Sequence, residues 1–302
     1  MRGMLKAAAR KTPWNAALVE GRVQPKGYEL AFEEVDPIIR AFRSMVRELA
    51  FDVTEMAFTT YLCAKEQGKR FTALPVFLVR EFHHKAWVVP AGSGLAPGEL
   101  EERRVGVNRG YTVTTGVWAR GVLAAEHGVD LSRVTWAPTG DEHVAEYEPP
   151  ANVEPPSGGD LLEQVRSGEV DAGVGVAAGD GVQSLIADPD EAGFAALRER
   201  GHYPINHLVV VKDDLLEADP ALAPAVFDAF VAAKREYLDG GELTPLHARV
   251  AEITGADPLP YGIAPNRGPI DELLDHAVSQ KILRRRPSVE ELFAARTLDL
   301  AG

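Results

Sequence analysis

Phe51-Asp52-Val53-Thr54-Glu55-Met56-Ala57-Phe58-Thr59-Thr60-Tyr61-Leu62 decides the reading of this chain. A short apolar strand, Phe51 to Thr54, runs directly into small hydroxyl residues that open a helix. The first N–H groups of a helix have no acceptor inside it, and the helix dipole places partial positive charge there. Thr59 and Thr60 add hydroxyl donors, a combination that grips a carboxylate without a buried counter-charge. A threonine at this position also serves many helices as a plain cap, so the stretch gains meaning from what surrounds it.

Outward from this junction, strand and helix signals alternate, the pattern of an α/β fold with largely parallel sheets. Before it, Leu30 to Val35 reads as a strand, and Ile38 to Leu49 as an amphipathic helix with apolar residues at Ile38, Ile39, Phe42, Met45, Val46 and Leu49. After it come a helix over Tyr61 to Gln67, strands at Thr72 to Leu78 and Ala86 to Val89, and a Gly/Pro loop over Pro90 to Gly98. A second unit then opens with the strand Arg104 to Val107, the turn Asn108-Arg109-Gly110 and a helix through Val117 to Leu123. It continues with a strand at Val134 to Trp136, a helix at Leu161 to Arg166 and a strand at Val170 to Val174. From Ile205 the chain resumes a strongly apolar strand and ends in helices over Ala221 to Leu238 and Pro269 to Ile282. This order predicts two lobes: a discontinuous one, 1–90 plus 205–302, and an inserted one, 91–204. Ligands of such folds sit where strand ends and helix N-termini converge, which here is an interlobe cleft.

Composition limits the partners. The chain has 302 residues, 45% hydrophobic and 25% charged, enough for two separate cores. A net charge of -13 argues against a nucleic-acid partner, which needs clustered Lys and Arg. The single cysteine, Cys63, sits in an apolar pattern and reads as a buried thiol. No segment has the length and apolarity of a membrane span or signal peptide, so the expectation is a cytoplasmic protein with no membrane partner.

Histidines fall where the two crossovers between lobes are expected. Arg80-Glu81-Phe82-His83-His84-Lys85 precedes the first, and Tyr203-Pro204-Ile205-Asn206-His207 lies at the second. Imidazole donates or accepts a proton near neutral pH, so His84 and His207 are the candidates for general acid work. No paired-His helix motif or cysteine cluster is present, and no metal is expected. Thr112-Val113-Thr114-Thr115-Gly116 repeats the opening logic as a second hydroxyl-rich helix start, with Thr114 and Thr115 as candidate oxyanion donors. Arg120 reads best as a surface pair. Trp118 reads best as core, with stacking on an aromatic ligand as the alternative.

These residues together resemble the 4,5-dihydroxyphthalate decarboxylase-like branch of the type II periplasmic-binding-protein fold. The similar stretches are Phe51 to Leu62, Leu74 to Phe77 with Arg80 to His84, Val105 to Gly121, Ser167 to Ala172, Pro204 to Val211, Pro260 to Arg267 and Ser288 to Phe293. The resemblance implies a two-lobed α/β fold and a carboxy-lyase, metal-independent or at least cofactor-poor, acting on a hydroxylated aromatic acid, with no cofactor expected. A solute-binding protein for a small carboxylate is the alternative, and a homodimer is compatible with the fold class. His207 or His84 is then the proton donor, with Glu55, Thr59, Thr60, Arg80, Thr114, Thr115, Trp118 and Asn206 around the substrate. Relatives carry an acidic and a basic residue in the first loop, where this chain has Thr12-Pro13-Trp14-Asn15-Ala16-Ala17-Leu18. Trp14 and Asn15 are therefore expected to offer stacking and neutral hydrogen bonds, and Lys85 to restore a positive charge.

Overall fold

A computed structural model describes residues 3–302. In chain order its elements are β1 (Met4–Ala8), α1 (Ala16–Val19), β2 (Glu29–Phe32), α2 (Ile39–Glu48), β3 (Val53–Ala57), α3 (Phe58–Glu66) and β4 (Phe71–Arg80). There follow β5 (Trp87–Pro90), β6 (Arg104–Val107), α4 (Thr114–His127), β7 (Thr135–Pro138), α5 (Leu161–Ser167), β8 (Ala172–Val174), β9 (Val182–Ser184) and α6 (Pro189–Arg200). The chain ends with β10 (Ile205–Lys212), α7 (Asp213–Ala218), α8 (Leu222–Asp239), α9 (Pro245–Thr254) and α10 (Arg267–Ser279).

Two units divide the chain. The first comprises Met1–Arg80, Ile205–Asp271 and Pro287–Gly302, and the second Glu81–Pro204 and Glu272–Arg286. The first division thus falls at Arg80/Glu81, earlier than the expected 90, because β5 hydrogen-bonds to β8 and β9 in the second unit's sheet. Glu272–Arg286 belongs with the second unit, where Gln280 is tied to α4 through Val117 O at 2.9 Å and Arg120 Nε at 2.7 Å.

Each unit holds a five-stranded sheet, ordered β2-β1-β3-β10-β4 in the first and β7-β6-β8-β5-β9 in the second. In the first, β1 runs parallel to β2 and β3, and β10 is antiparallel to β3 and β4. The second repeats this scheme, with β6 parallel to β7 and β8, and β5 antiparallel to β8 and β9. The strand covered on both sides reads as a continuous apolar run: Leu208, Val209, Val210 and Val211 of β10 are all fully buried.

Local chemistry sets the element ends. In α2 the residues Phe42, Met45 and Val46 turn inward at helical spacing, and the helix stops at Leu49 in a left-handed conformation, φ 51°. Asp160 caps α5 by accepting the Glu163 N–H, and Gly168 ends it at φ 75°. In the second sheet Gly106 is required by a close approach, since a Cβ there would lie 2.3 Å from Leu161 Cδ1 on α5.

One boundary shift matters for the site. The strand expected to end at Thr54 runs on to Ala57, because its pairing with β10 continues through Leu208↔Met56 and His207↔Ala57. Glu55 is therefore a strand residue, and Thr59 and Thr60 lie inside the first turn of α3, which Ala57 caps without a side-chain hydrogen bond.

Candidate active site

In the first unit, the register of β3 against β10 builds a carboxylate–imidazole pair. Paired residues on antiparallel strands share a face, so His207 opposite Ala57 stands on the same side as Glu55 two residues earlier. The His207 Nδ1 lies 2.6 Å from Glu55 Oε1, and Glu55 Oε2 accepts the Arg10 N–H at 2.8 Å. The Glu55 side chain is 1% exposed, whereas 18% of the His207 side chain remains open to solvent. Phe42 meets the imidazole edge to face at 5.1 Å. A carboxylate accepts only, so Nδ1 carries the proton in this pair, and Nε2 is the nitrogen left for other chemistry.

The other expected residues of the first unit fall into two groups. Thr59 and Thr60 are buried in the first turn of α3, Asn206 is buried in β10, and Arg80 is buried at the end of β4 opposite Ile205. Trp14 and Asn15 are committed to the fold. The Trp14 indole donates to Leu78 O at 2.9 Å and packs edge-on to His247 at 4.8 Å and Tyr237 at 6.0 Å. Asn15 closes its own loop, accepting the Thr12 N–H at 2.7 Å and donating to Arg10 O at 3.0 Å. The expected stacking and neutral hydrogen bonds toward a substrate are thus spent inside the first unit. A recess of about 510 Å³, lined by Lys65, Asp213, Glu217 and Arg296, lies at the other end of β10, and neither Glu55 nor His207 borders it.

In the second unit His84 is wholly buried, with Nε2 3.1 Å from both Glu126 oxygens. Arg200 bridges Glu126 to Glu272, whose oxygens are each 3.0 Å from His202 Nδ1. Burial alone raises Glu126, but the hydrogen bonds and charges of His84 and Arg200 outweigh it and hold the carboxyl down at about 2. Burial pushes His202 below the usual histidine value, and Glu272 only partly offsets it. Trp118 is core, fully buried and edge-on to His202 and His276 at 5.6 Å. Lys85 pairs with Glu81 at 2.7 Å on exposed surface, so its charge is shared there.

The second hydroxyl-rich helix start is present as α4. Thr114 is buried, while Thr115 borders a recess of about 230 Å³ together with Phe82, His83, Gly175 and Val176. The tyrosine and threonine N–H groups just before the helix are taken by a carboxylate of the protein itself: Glu142 accepts from Tyr111 N at 2.5 Å and Thr112 N at 3.1 Å. Arg120, expected at the surface, is fully buried. It donates to Gln280 Oε1 and Tyr111 O, each at 2.7 Å, and stacks on the Tyr111 ring at 3.9 Å. Sequence reasoning missed Glu126 and Glu142, which no motif marks. Among the described residues, no group of three or more His, Cys, Asp or Glu is arranged to hold a metal ion, and no helix is long and apolar enough to cross a membrane.

No family model matches the chain. It is 28% identical to the 4,5-dihydroxyphthalate decarboxylase of Comamonas testosteroni, over 93% of each chain. It is 32% identical to the enzyme of the same name from Pseudomonas putida, over 52% of this chain and 64% of that one. Among solved structures, the periplasmic aliphatic sulphonate-binding protein of Escherichia coli superposes with a TM-score of 0.53 over 99% of each chain at 12% identity. A Candida albicans protein with the generic periplasmic-binding-protein fold gives 0.55 over 99% of this chain and 98% of that one, at 14% identity. The desulfurization enzyme DSZB gives 0.51 over 97% and 96%, at 17% identity. At such identities the structural likeness concerns the fold alone. The chain is accordingly similar in sequence to proteins named 4,5-dihydroxyphthalate decarboxylase, and it has the fold of the periplasmic binding proteins.

Proposed function

We propose that this protein is a non-oxidative carboxy-lyase acting on a hydroxylated aromatic carboxylic acid, with His207 as the proton donor. The ring hydroxyl supplies electron density to the carbon that bears the carboxylate. That carbon takes a proton from His207 Nε2–H, the carbon–carbon bond breaks, its electron pair restores the aromatic ring, and carbon dioxide leaves. Glu55 holds the imidazole through Nδ1 and offsets the charge of its doubly protonated form before transfer, a division of labour typical of oriented histidines.

The observation that carries this reading is the buried Glu55 against the part-exposed His207, set beside the two relatives named as decarboxylases. It favours His207 over His84, whose ring has no exposed surface. The compartment we infer is the cytoplasm, and the partner a small aromatic carboxylate.

The test is carbon dioxide release from hydroxylated benzoates and phthalates, with mass spectrometry of the product, run with and without chelator. We expect turnover that chelator does not abolish, and a His207→Ala loss of about 10²–10⁴-fold in kcat, the usual worth of a positioned acid. Tight binding across the panel with no product would leave a receptor for carboxylates and sink the enzyme reading.

A further inference from the structure

We propose that Trp14 is a positioning residue for His207, acting through a bulge in β4, an inference that rests on the reading of His207 as the proton donor. On one side, β10 pairs with β3 in an unbroken register from His207↔Ala57 to Val211↔Val53. On its other side, against β4, the register slips at three steps, all at the histidine end. Ile205 to His207 is matched on β4 by the single step from Arg80 to Val79. His207 to Leu208 is matched by Val79 to Phe77, which leaves out Leu78, and Leu208 to Val209 by Phe77 to Leu74, which leaves out Val76 and Pro75. From Val209 to Lys212 the pairing with Leu74 to Phe71 is regular again.

Pro75 supplies the reason in the sequence, since proline has no N–H for a ladder and sits in sheets at edges and bulges. The strand positions that the ladder skips are buried, so their carbonyls cannot turn to water and need acceptor partners from elsewhere. Two such carbonyls are taken by groups outside the sheet. Pro75 O accepts the Gly262 N–H at 2.8 Å, and Leu78 O accepts the Trp14 indole N–H at 2.9 Å. Leu78 lies between Phe77, which pairs with Leu208, and Val79, which pairs with His207. The indole is therefore fastened at the very step of β4 that carries the histidine.

The anchor is itself held, by the edge-on rings of His247 and Tyr237 and by the loop that Asn15 closes. A bulge bends and twists its strand and re-aims the side chains beside it, so β4 shares with β3 in deciding where the end of β10 stands. His207 has to keep Nδ1 at 2.6 Å from Glu55 while Nε2 meets the substrate. A misplacement on the order of 1 Å costs a reaction about 10²-fold, which makes the pin on the bulge a lever on turnover without contact to the substrate.

The experiment compares the full-length wild type with Trp14→Phe, which keeps a ring against His247 and Tyr237 but loses the N–H. Tyr28→Phe is the control, because it loses a hydrogen bond to Asp219, 2.7 Å long, elsewhere in the same unit. Thermal melts check that both variants are folded. Nitrogen-15 NMR of the His207 imidazole, on ligand-free protein at about pH 8, reads which ring nitrogen carries the proton. We expect a single Nδ1–H form in the wild type and in Tyr28→Phe, and a mixture of forms in Trp14→Phe. In steady-state kinetics Trp14→Phe should lower kcat by about 10-fold with KM within about twofold, and Tyr28→Phe should change neither. Unchanged imidazole signals or an unchanged kcat in Trp14→Phe would overturn the proposal, as would equal effects in Tyr28→Phe. A loss confined to KM would make Trp14 a substrate contact and overturn it too. If no substrate is turned over, the decarboxylase reading fails, and the imidazole signals alone decide whether Trp14 positions His207.

Discussion

Glu55 and His207 are separated by 152 positions and meet only because β3 and β10 pair in one register. A shift of that register by one residue would turn His207 to the other face of the sheet and away from the carboxylate. The dyad predicts a separable effect for Glu55→Gln. The amide keeps the shape but can present an N–H to Nδ1, which favours the wrong tautomer and removes the charge that stabilises imidazolium. We expect kcat to fall by about 10²-fold or more with KM within a few fold, read from steady-state kinetics. Loss confined to KM would place Glu55 in substrate binding. The place of His207 on a strand was legible in the sequence, because the apolar run Leu208 to Val211 marked a returning strand with a histidine at its mouth. Glu55 was named only as a substrate neighbour, and its pairing with His207 was not legible, since strand register is a tertiary property. Asn15 and Trp14 misled for a related reason: a polar or aromatic residue in a loop looks available until the loop's own N–H and C=O groups are shown to claim it.

At the scale of elements, the strongly periodic or continuously apolar segments were readable. The α2 pattern and the β6 and β10 runs appear within a residue or a few of their expected bounds. Short edge elements were not: β9 is only Val182–Ser184, too brief for a period to declare itself, and it exists because β5 offers it an edge. The C-terminal tail is another element made by tertiary contact. Gly262 pairs with Ala301, Tyr261 and Gly302 exchange N–H···O bonds at 2.8 and 3.2 Å, and Lys234 Nζ donates to Gly302 O at 2.9 Å. Gly262 sits at φ 101°, and a Cβ there would fall 2.3 Å from Leu300 O, a backbone atom that cannot swing aside. Gly262→Ala should therefore cost about 2–4 kcal/mol through backbone strain plus overpacking. A fall in urea midpoint without a change in slope would register it. An unchanged midpoint would mean that the tail is not pinned as described.

For the molecule as a whole, the shared sheet order of the two units says how the chain is built but not what it does, since both a sulphonate-binding protein and a desulfurization enzyme have this fold. What distinguishes the chain physically is how its buried ionisable groups tie folding to pH. In the first unit the Tyr237 hydroxyl accepts the Thr244 N–H and lies 2.8 Å from His247 Nδ1, so it donates its proton to an unprotonated nitrogen. Burial, with Arg80 nearby, takes His247 from 6.5 down to about 4. The unfolded chain binds that proton near 6.5 and the folded one only near 4, so stability is full above 6.5 and declines as pH falls toward 4. In the second unit His202, also lowered, acts with the same sign. Glu126, held at about 2 against an ordinary 4.5, contributes above 4.5 and loses its contribution only as pH falls through that lower range. Acid should thus weaken the protein in two stages, histidines first and carboxylates after. The His247 share alone is on the order of 2–3 kcal/mol between pH 6.5 and 4. Urea midpoints taken from pH 8 to pH 4.5 should be flat above 7 and fall below 6.5, and His247→Gln should flatten part of that fall while starting from a lower plateau. A wild-type profile that stays level down to pH 4.5, or a variant with an unaltered slope, would show that the Tyr237–His247 pair does not couple folding to protons.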